Sequence, residues 1–420
     1  MRPLTPATRP GLGEPLAPRR LAVYTDYAYT IQDGAVFAER AFALFMAAVL
    51  EHADESTIIG RLRPVGGHAR YEMPAVVRFV ALPYYSDGAH LPSVVKAFLV
   101  SARRLWRSLD SVDTVWVLGP HGVALPFALL VVLRRRRLRL GVRQDLRSYA
   151  RSRHPRRRLI HHLADVLECA YRLLALRYPV VVVGEDLGRA YRHSRAVLAA
   201  SVSLVTAADI VPAASAGRAE WADRFVVLSV GRLDAEKNPL MLVEIIRALV
   251  DADPRWHLTV CGDGPLLASL KERVAERALN AHVEVRGYVP FSDLRDLYRS
   301  SQVFLHVSLT EGLPQVLFEA FAAGLPVVAT DVGGVRAAVD DAAVLIAPNS
   351  AEQAVDAITL LQRSPHRRAG LVQAGLRVVQ AHTLEREAAG VAAFLLERAD
   401  TSPSRARCRR TLSLRRRAAR

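Results

Sequence analysis

The sequence predicts an α/β protein made of two doubly wound, Rossmann-like domains that face each other across a cleft. Three observations lead there. At 420 residues the chain exceeds what one ordinary core accommodates. Apolar strand-like runs alternate with helical periods, which implies parallel sheets. The alternation is interrupted once, by the small-residue stretch "VPAASAGRAE" (Val211 to Glu220), and then begins again.

Taken in order, residues 1–20 read as a disordered leader and residues 21–210 as the first domain. That domain opens with the strand "LAVYTD" (Leu21 to Asp26), a loop through Gln32-Asp33-Gly34, and a helix from Ala35 to about Leu50. Further strands are expected at "AVVRFVAL" (Ala75 to Leu82), "TVWVLG" (Thr114 to Gly119) and "RLRLGVRQD" (Arg137 to Asp145). "YPVVVVG" (Tyr178 to Gly184) is apolar without alternation, as a strand covered on both faces should be. Helical periods fill Leu91 to Leu109 and Leu159 to Leu176. After a linker at 211–224 the second domain, 225–383, repeats the pattern from "RFVVLSVGRL" through "WHLTVCGDGP", "HVEVRGYV", "VFLHVS" and "LPVVATD". A closing helix over 384–400 and a basic, disordered tail over 401–420 complete the reading.

Composition narrows the function classes. No apolar run reaches the roughly 18 residues a spanning helix needs, and the leader has no apolar signal core, so a cytoplasmic protein is expected. Three scattered cysteines, Cys169, Cys261 and Cys408, fit neither a disulfide framework nor a zinc site. The net charge of +16 is concentrated: Arg134 to Arg158 carries +11 and Thr401 to Arg420 carries +8. Such patches suit phosphates or an anionic membrane surface. Bases to stack on are poorly served, since Tyr149 is the one aromatic among these arginines, and no nucleic-acid partner is expected. A bland arginine-rich surface is the competing reading of the first run.

Chemistry-bearing residues cluster at strand ends of the second domain. In "VGRLDAEKNP", Arg232 and Lys237 follow a strand directly. In "CGDGPL", Gly262 and Gly264 allow close backbone approach, and Pro265 opens a helix. A dinucleotide fingerprint would need a third glycine where Leu267 stands. In "TEGLPQVLFEAFAAGLPVV", Pro314 and Gly324 bracket a helix, with Glu311 and the amides of Gly312 and Leu313 ahead of it. That amino end is suited to anions. Glu319 lies inside the helix among apolar neighbours and requires a hydroxyl or cationic partner. Cations and amides flanked by one carboxylate on each side match a diphosphate between two polyols, as in a nucleotide sugar. Glu311 as a helix cap and Glu319 as partner of a buried arginine are the alternatives.

Residues 226–334 resemble the donor-binding domain of retaining glycosyltransferase family 4, on the strength of "GRLDAEKNP", "GDGP" and "EGLPQVLFEAFAAGLPVVATDVGG" in that order. The last segment contains the family's E-x7-E pattern, Glu311 to Glu319. The resemblance implies the GT-B fold and transfer of a sugar from a nucleoside-diphosphate donor to an acceptor hydroxyl with retention. It implies that Arg232 and Lys237 hold the diphosphate, Glu311 the sugar hydroxyls and Glu319 the ribose hydroxyls, with Gly312 and Leu313 amides in support. No cofactor or metal is implied; the one Asp-x-Asp, Asp251 to Asp253, ends a helix. In the first domain the family's Gly-Gly loop has only Asp33-Gly34 as its counterpart. His121 in "LGPHG" stands where the family often has an acceptor-side histidine, and "VRQD" (Val142 to Asp145) replaces a common His-Asp strand end. Rival readings are an epimerase of the same fold and a non-catalytic nucleotide-sugar-binding protein. The acceptor is expected to be a glycolipid, polysaccharide or small glycoside, with peripheral attachment to the inner membrane face where it is lipid-linked.

Overall fold

The computed structural model describes residues 19–64, 71–85, 91–153, 156–217, 221–312 and 314–397. The leader up to residue 18, the tail 401–420 and Leu313 therefore lie outside the described residues.

The first unit runs β1 (Arg20–Gln32), β2 (Ala35–Ala38), α1 (Phe42–Leu50), β3 (Glu55–Leu62), β4 (Tyr71–Glu72), β5 (Arg78–Pro83) and α2 (Leu91–Ser108). It continues with β6 (Thr114–Gly119), α3 (Ala124–Leu133), β7 (Arg137–Val142), α4 (Leu146–Arg153), α5 (Arg158–Ala175), β8 (Val180–Val183), α6 (Glu185–Ala190) and β9 (Val197–Ala200). The strands form one sheet in which β1 lies between β3 and β6, followed outward by β7, β8 and β9. These pairings are parallel, and only the short β2 and β4 run antiparallel. Strand alternation sorts the core. Leu21, Val23, Trp116, Leu118 and Val181 face one side. Ala22, Tyr24, Val115, Val117 and Val182 face the other, under α2, α3 and α5.

The second unit contains β10 (Phe225–Val230), α7 (Met241–Ala252), β11 (Trp256–Cys261), α8 (Leu267–Glu276), β12 (Val283–Gly287), α9 (Phe291–Ser300) and β13 (Val303–His306). Then come α10 (Gln315–Ala322), β14 (Val327–Thr330), α11 (Val335–Val339), β15 (Ala343–Ile346), α12 (Ala351–Arg363) and α13 (Pro365–Ala381). Its sheet is wholly parallel in the order β12-β11-β10-β13-β14-β15. The order reverses at β10, so the carboxyl ends of β10 and β13 form the switch point where ligands bind in open α/β sheets.

α14 (Leu384–Leu396) leaves the second unit and buries Ala388, Val391, Ala392 and Leu395 in the first unit's core, against α1. Arg139 of β7 holds its end by donating to the carbonyls of Leu395 (3.2 Å) and Glu397 (2.7 Å). The two units are thus joined twice.

Three sequence expectations change. The helix expected over residues 35–50 begins only at Phe42, because Asp33-Gly34 closes a two-residue hairpin between β1 and β2. Both turn residues have positive φ, 49° and 82°, which is the Asp-Gly signature of a type I′ turn. Strands β3 and β9 occupy stretches assigned to no element. The crossover lies earlier than residues 211–224: Val202 packs in the first core, and Val205 already packs in the second. The small residues of 211–217 serve close packing instead. The Val211 amide donates to the Ala322 carbonyl (2.8 Å), and Ala216 lies so close to Gly324 that a Cβ there would come within 2.8 Å.

Candidate active site

Each conspicuous residue of the second unit hangs from a strand end. Gly231-Arg232 follows β10, and Asp234 then caps a tight turn by accepting from the Lys237 amide. Asn238 ends that turn in the left-handed region, at φ 52°. The turn aims Lys237 at Glu311, with which it forms an ion pair. The same Glu311 Oε1 bonds Nε2 of His306, the last residue of β13, at 2.8 Å. Burial by itself would raise the Glu311 pKa. The His306 hydrogen bond and the Lys237 charge outweigh it and hold the carboxylate at about 2. Arg232 is the solvent-facing member, 58% exposed, paired with Asp234 (2.7 Å) and Glu236 (3.6 Å).

The glycines knit these loops together. A Cβ on Gly262 would lie 1.7 Å from the Gly231 carbonyl oxygen, and one on Gly264 would lie 2.5 Å from that of Leu233. Gly333 and Gly334 stand in the same relation to the carbonyls of Glu311 (1.9 Å) and Gly312 (2.2 Å). The close approach that Gly262 and Gly264 permit is thus between neighbouring loops and seats the Arg232 loop, as Gly333 and Gly334 seat the Glu311 loop. The Leu309 amide, donating to the Glu236 carbonyl (2.8 Å), ties the two together. Gly312 is exposed beside the amino end of α10.

α10 begins at Gln315 and ends before Gly324, which turns with φ 73°. Its first-turn Gln315 grips the crossover, donating to the Val202 carbonyl (2.5 Å) and accepting from the Leu204 amide (3.1 Å). Glu319, further along, has a hydroxyl partner: Tyr298 of α9 donates to its Oε2 at 2.8 Å. Burial raises its pKa to about 6; the Tyr298 bond works against this, and the charge of Asp209 works with it. Glu319 lines a small cavity with Asp209, Arg295 and Tyr298. Arg295 is turned to Asp209, 3.4 Å away, and among the described residues no cation pairs with Glu319.

In the first unit His121 follows β6 with its ring 5.8 Å from that of Tyr24. Burial lowers its pKa, so the imidazole is neutral near pH 7, and Nε2 is buried with no hydrogen-bond partner among the described residues. Nearby, Asp26 pairs with Arg61 (3.1 Å) and accepts from the Tyr85 hydroxyl (2.9 Å). Gly34 sits at the open hairpin tip with no atom near its Cβ position, and a strand follows it where a helix would offer amides. The phosphate contact that the resemblance carries to Gly34 has no structural basis. Asp145 of "VRQD" caps α4, accepting from the Arg147 amide (3.0 Å) and the Ser148 hydroxyl (2.7 Å).

The structure therefore joins Lys237 to Glu311 directly, keeps Arg232 and Glu319 in their own contacts, and places His121 in the other unit. His306 and Tyr298 were not singled out in the sequence. A histidine inside "VFLHVS" is the one signal that could have drawn attention, since strands buried on both faces are otherwise apolar.

Residues 215–378 match the family model of glycosyl transferases group 1. Over 124 residues the chain is 32% identical to the phosphatidylinositol N-acetylglucosaminyltransferase GPI3 subunit of Saccharomyces cerevisiae, covering 30% of this chain and 27% of that protein. Over 138 residues it is 36% identical to the putative teichuronic acid biosynthesis glycosyltransferase TuaC of Bacillus subtilis, covering 33% of each. The chain thus spans a third or less of the length of these curated relatives. The crystal structure of Anabaena Alr3699/HepE in complex with UDP superposes with a TM-score of 0.67 at 15% identity, over 90% of this chain and 99% of that one. The chain has the GT-B fold, two Rossmann-like units, and its second unit carries the group 1 glycosyl transferase match.

Proposed function

We propose that the protein is a retaining glycosyltransferase of family 4 that moves a sugar from a nucleoside-diphosphate sugar to an acceptor hydroxyl. The observation that carries this reading is the arrangement at the β10 and β13 ends. An ionised glutamate held by Lys237 and His306 stands beside the exposed Gly312 ahead of α10, whose Glu319 lines its own cavity. Departure of the diphosphate concentrates negative charge. Lys237, Arg232 and the Gly312 and Leu313 amides are the groups to stabilise it, so the catalysis is electrostatic. Glu311 then accepts from sugar hydroxyls and Glu319 from the ribose. In a front-face reaction the leaving phosphate oxygen takes the acceptor's proton, with no cofactor and no protein nucleophile. His121, neutral and with a free Nε2, is suited to orient an acceptor-side hydroxyl.

The acceptor is proposed to be membrane-proximal. α5 exposes Leu159 (72%), Leu163 (55%), Val166 (66%) and Leu173 (61%) in a helical stripe that Leu176 (54%) extends just past its end. Arg156, Arg157 and Arg158 stand exposed at its start, next to the arginine-rich β7–α4 region. An apolar face with a basic flank is the composition of a surface that lies on anionic lipid. Among the described residues no helix is long and apolar enough to cross a membrane.

The test is incubation with a panel of radiolabelled nucleotide sugars, with and without a membrane lipid extract. Acceptor-dependent nucleotide release, with an α-linked product from an α-linked donor, is expected. Donor isomerisation without acceptor would make the protein an epimerase, and saturable donor binding without turnover a binding protein.

A further inference from the structure

We infer that Arg143 is the anchor of a second anion site, on the first unit's side of the cleft, that takes a phosphate or carboxylate group. Arg143 is the residue after β7, at the carboxyl edge of the first sheet where the other strand ends also lie. Its guanidinium is stacked 4.3 Å from the Phe42 ring centroid and 5.1 Å from that of Tyr27. Among the described residues it makes no hydrogen bond and no ion pair. Two neighbours from the same arginine-rich run, the buried Arg139 and the half-buried Arg147, differ. Arg139 donates to two carbonyls, and Arg147 pairs with Asp165 at 3.2 Å. Asp145, two residues on, is the obvious counter-ion by sequence, but both its oxygens are taken by the start of α4.

The guanidinium is half-buried with its faces covered by two rings, and stacking replaces only part of the hydration it loses. Burial correspondingly depresses its pKa to about 10, with no neighbouring carboxylate offsetting it. Held by its faces, the group keeps its edge N–H donors for a planar or tetrahedral oxyanion, the geometry arginine serves best. Arg143 caps a narrow apolar slot lined by Phe42, Val183 and Val202 that is too small for an oxyanion, so the anion would meet the guanidinium edge from the solvent side. The carbonyl of Val202 is the one gripped by Gln315 in the first turn of α10. The cation is thus one residue layer from the crossover between the units and from the amino end of α10.

Only the origin of the anion rests on the glycosyl-transfer reading. It would be either an anionic group on the acceptor or the donor's own diphosphate reached from the opposite wall. Isothermal titration separates these. Inorganic phosphate is titrated into protein saturated with UDP, and UDP is titrated alone, each into wild type, Arg143→Gln, Arg143→Lys and Arg232→Ala. The expected result is at least about a tenfold loss of phosphate affinity in Arg143→Gln, partial recovery in Arg143→Lys, and UDP affinity within about twofold of wild type. A comparable loss of UDP affinity in Arg143→Gln would keep the site and assign it to the donor. Failure of UDP to bind wild type would count against the donor reading alone, and the phosphate titration is then run without it. Wild type that binds no phosphate beyond what Arg143→Gln and Arg143→Lys bind, with UDP affinity also unchanged in both, overturns the site.

Discussion

The two glutamates of the second unit carry opposite electrostatic histories, and their pH responses should differ in sign. Glu311 titrates at about 2 when folded, below its ordinary 4.5. It contributes stability that is complete above 4.5 and is lost as pH falls toward 2. Glu319 titrates at about 6, above 4.5, so the free folded protein holds that proton more tightly than the unfolded chain. Its contribution is present in acid and is lost as pH rises from 4.5 through 6. Ribose hydroxyls donating to the carboxylate would pull that pKa back down. Nucleotide binding measured by calorimetry should therefore weaken as pH falls below about 6 and release a proton near that pH. Glu319→Ala should weaken it by about 1–3 kcal/mol at pH 7.5, the worth of charged hydrogen bonds, and flatten the profile. An unchanged profile would remove Glu319 from the ligand.

At the level of elements, the strand-end loops depend on glycines rather than on side chains. Gly262→Ala must move a Cβ away from a carbonyl oxygen 1.7 Å distant, from a backbone at φ 152°. A loss of about 2–4 kcal/mol in urea unfolding is expected, with donor binding falling as the Gly231-Arg232 loop is displaced. On α5, Leu163→Glu with Val166→Glu should abolish co-sedimentation with phosphatidylglycerol vesicles without affecting thermal stability, because both side chains are already in solvent. Binding that survives this pair would return the stripe to plain surface. The same elements show what the sequence disclosed. α10 is legible to within a residue, because Pro314 and Gly324 bracket it, and the start of α14 at Leu384 is legible where its end at Leu396 is not. The β1–β2 hairpin is hidden because the apolar run of α1 begins within a few residues of β2, and the two merge into one helical period from Ala35. β3, "ESTIIGRL", escaped because only two of its residues are aliphatic before Gly60 and Arg61 interrupt. For the site, Lys237 and Glu311 were visible as residue types. Their direct contact, 74 positions apart in sequence, and the partners His306 and Tyr298 follow from strand order, which no local pattern encodes.

On the scale of the whole molecule, the covalent order and the packing order disagree. α14 follows the second unit in sequence and is a wall of the first. Val391, fully buried there, makes the dependence measurable. Val391→Asp would place an unpaired carboxylate in that core, at a cost of several kcal/mol. Limited proteolysis should then release the second unit intact, while residues before 200 are digested. If both units resisted equally, the helix would be an ornament on the first core and not part of it.

That arrangement has a consequence for biosynthesis. When residues up to Ala200 have emerged from a ribosome, the nascent sheet still shows water the apolar patch that Ala388, Val391, Ala392 and Leu395 will later cover. The intervening chain, a unit able to build its own two core layers, is translated in the meantime. The later half should therefore reach its native form first, and the earlier half should wait for chaperone release, reversing the amino-to-carboxyl succession usual for multidomain chains.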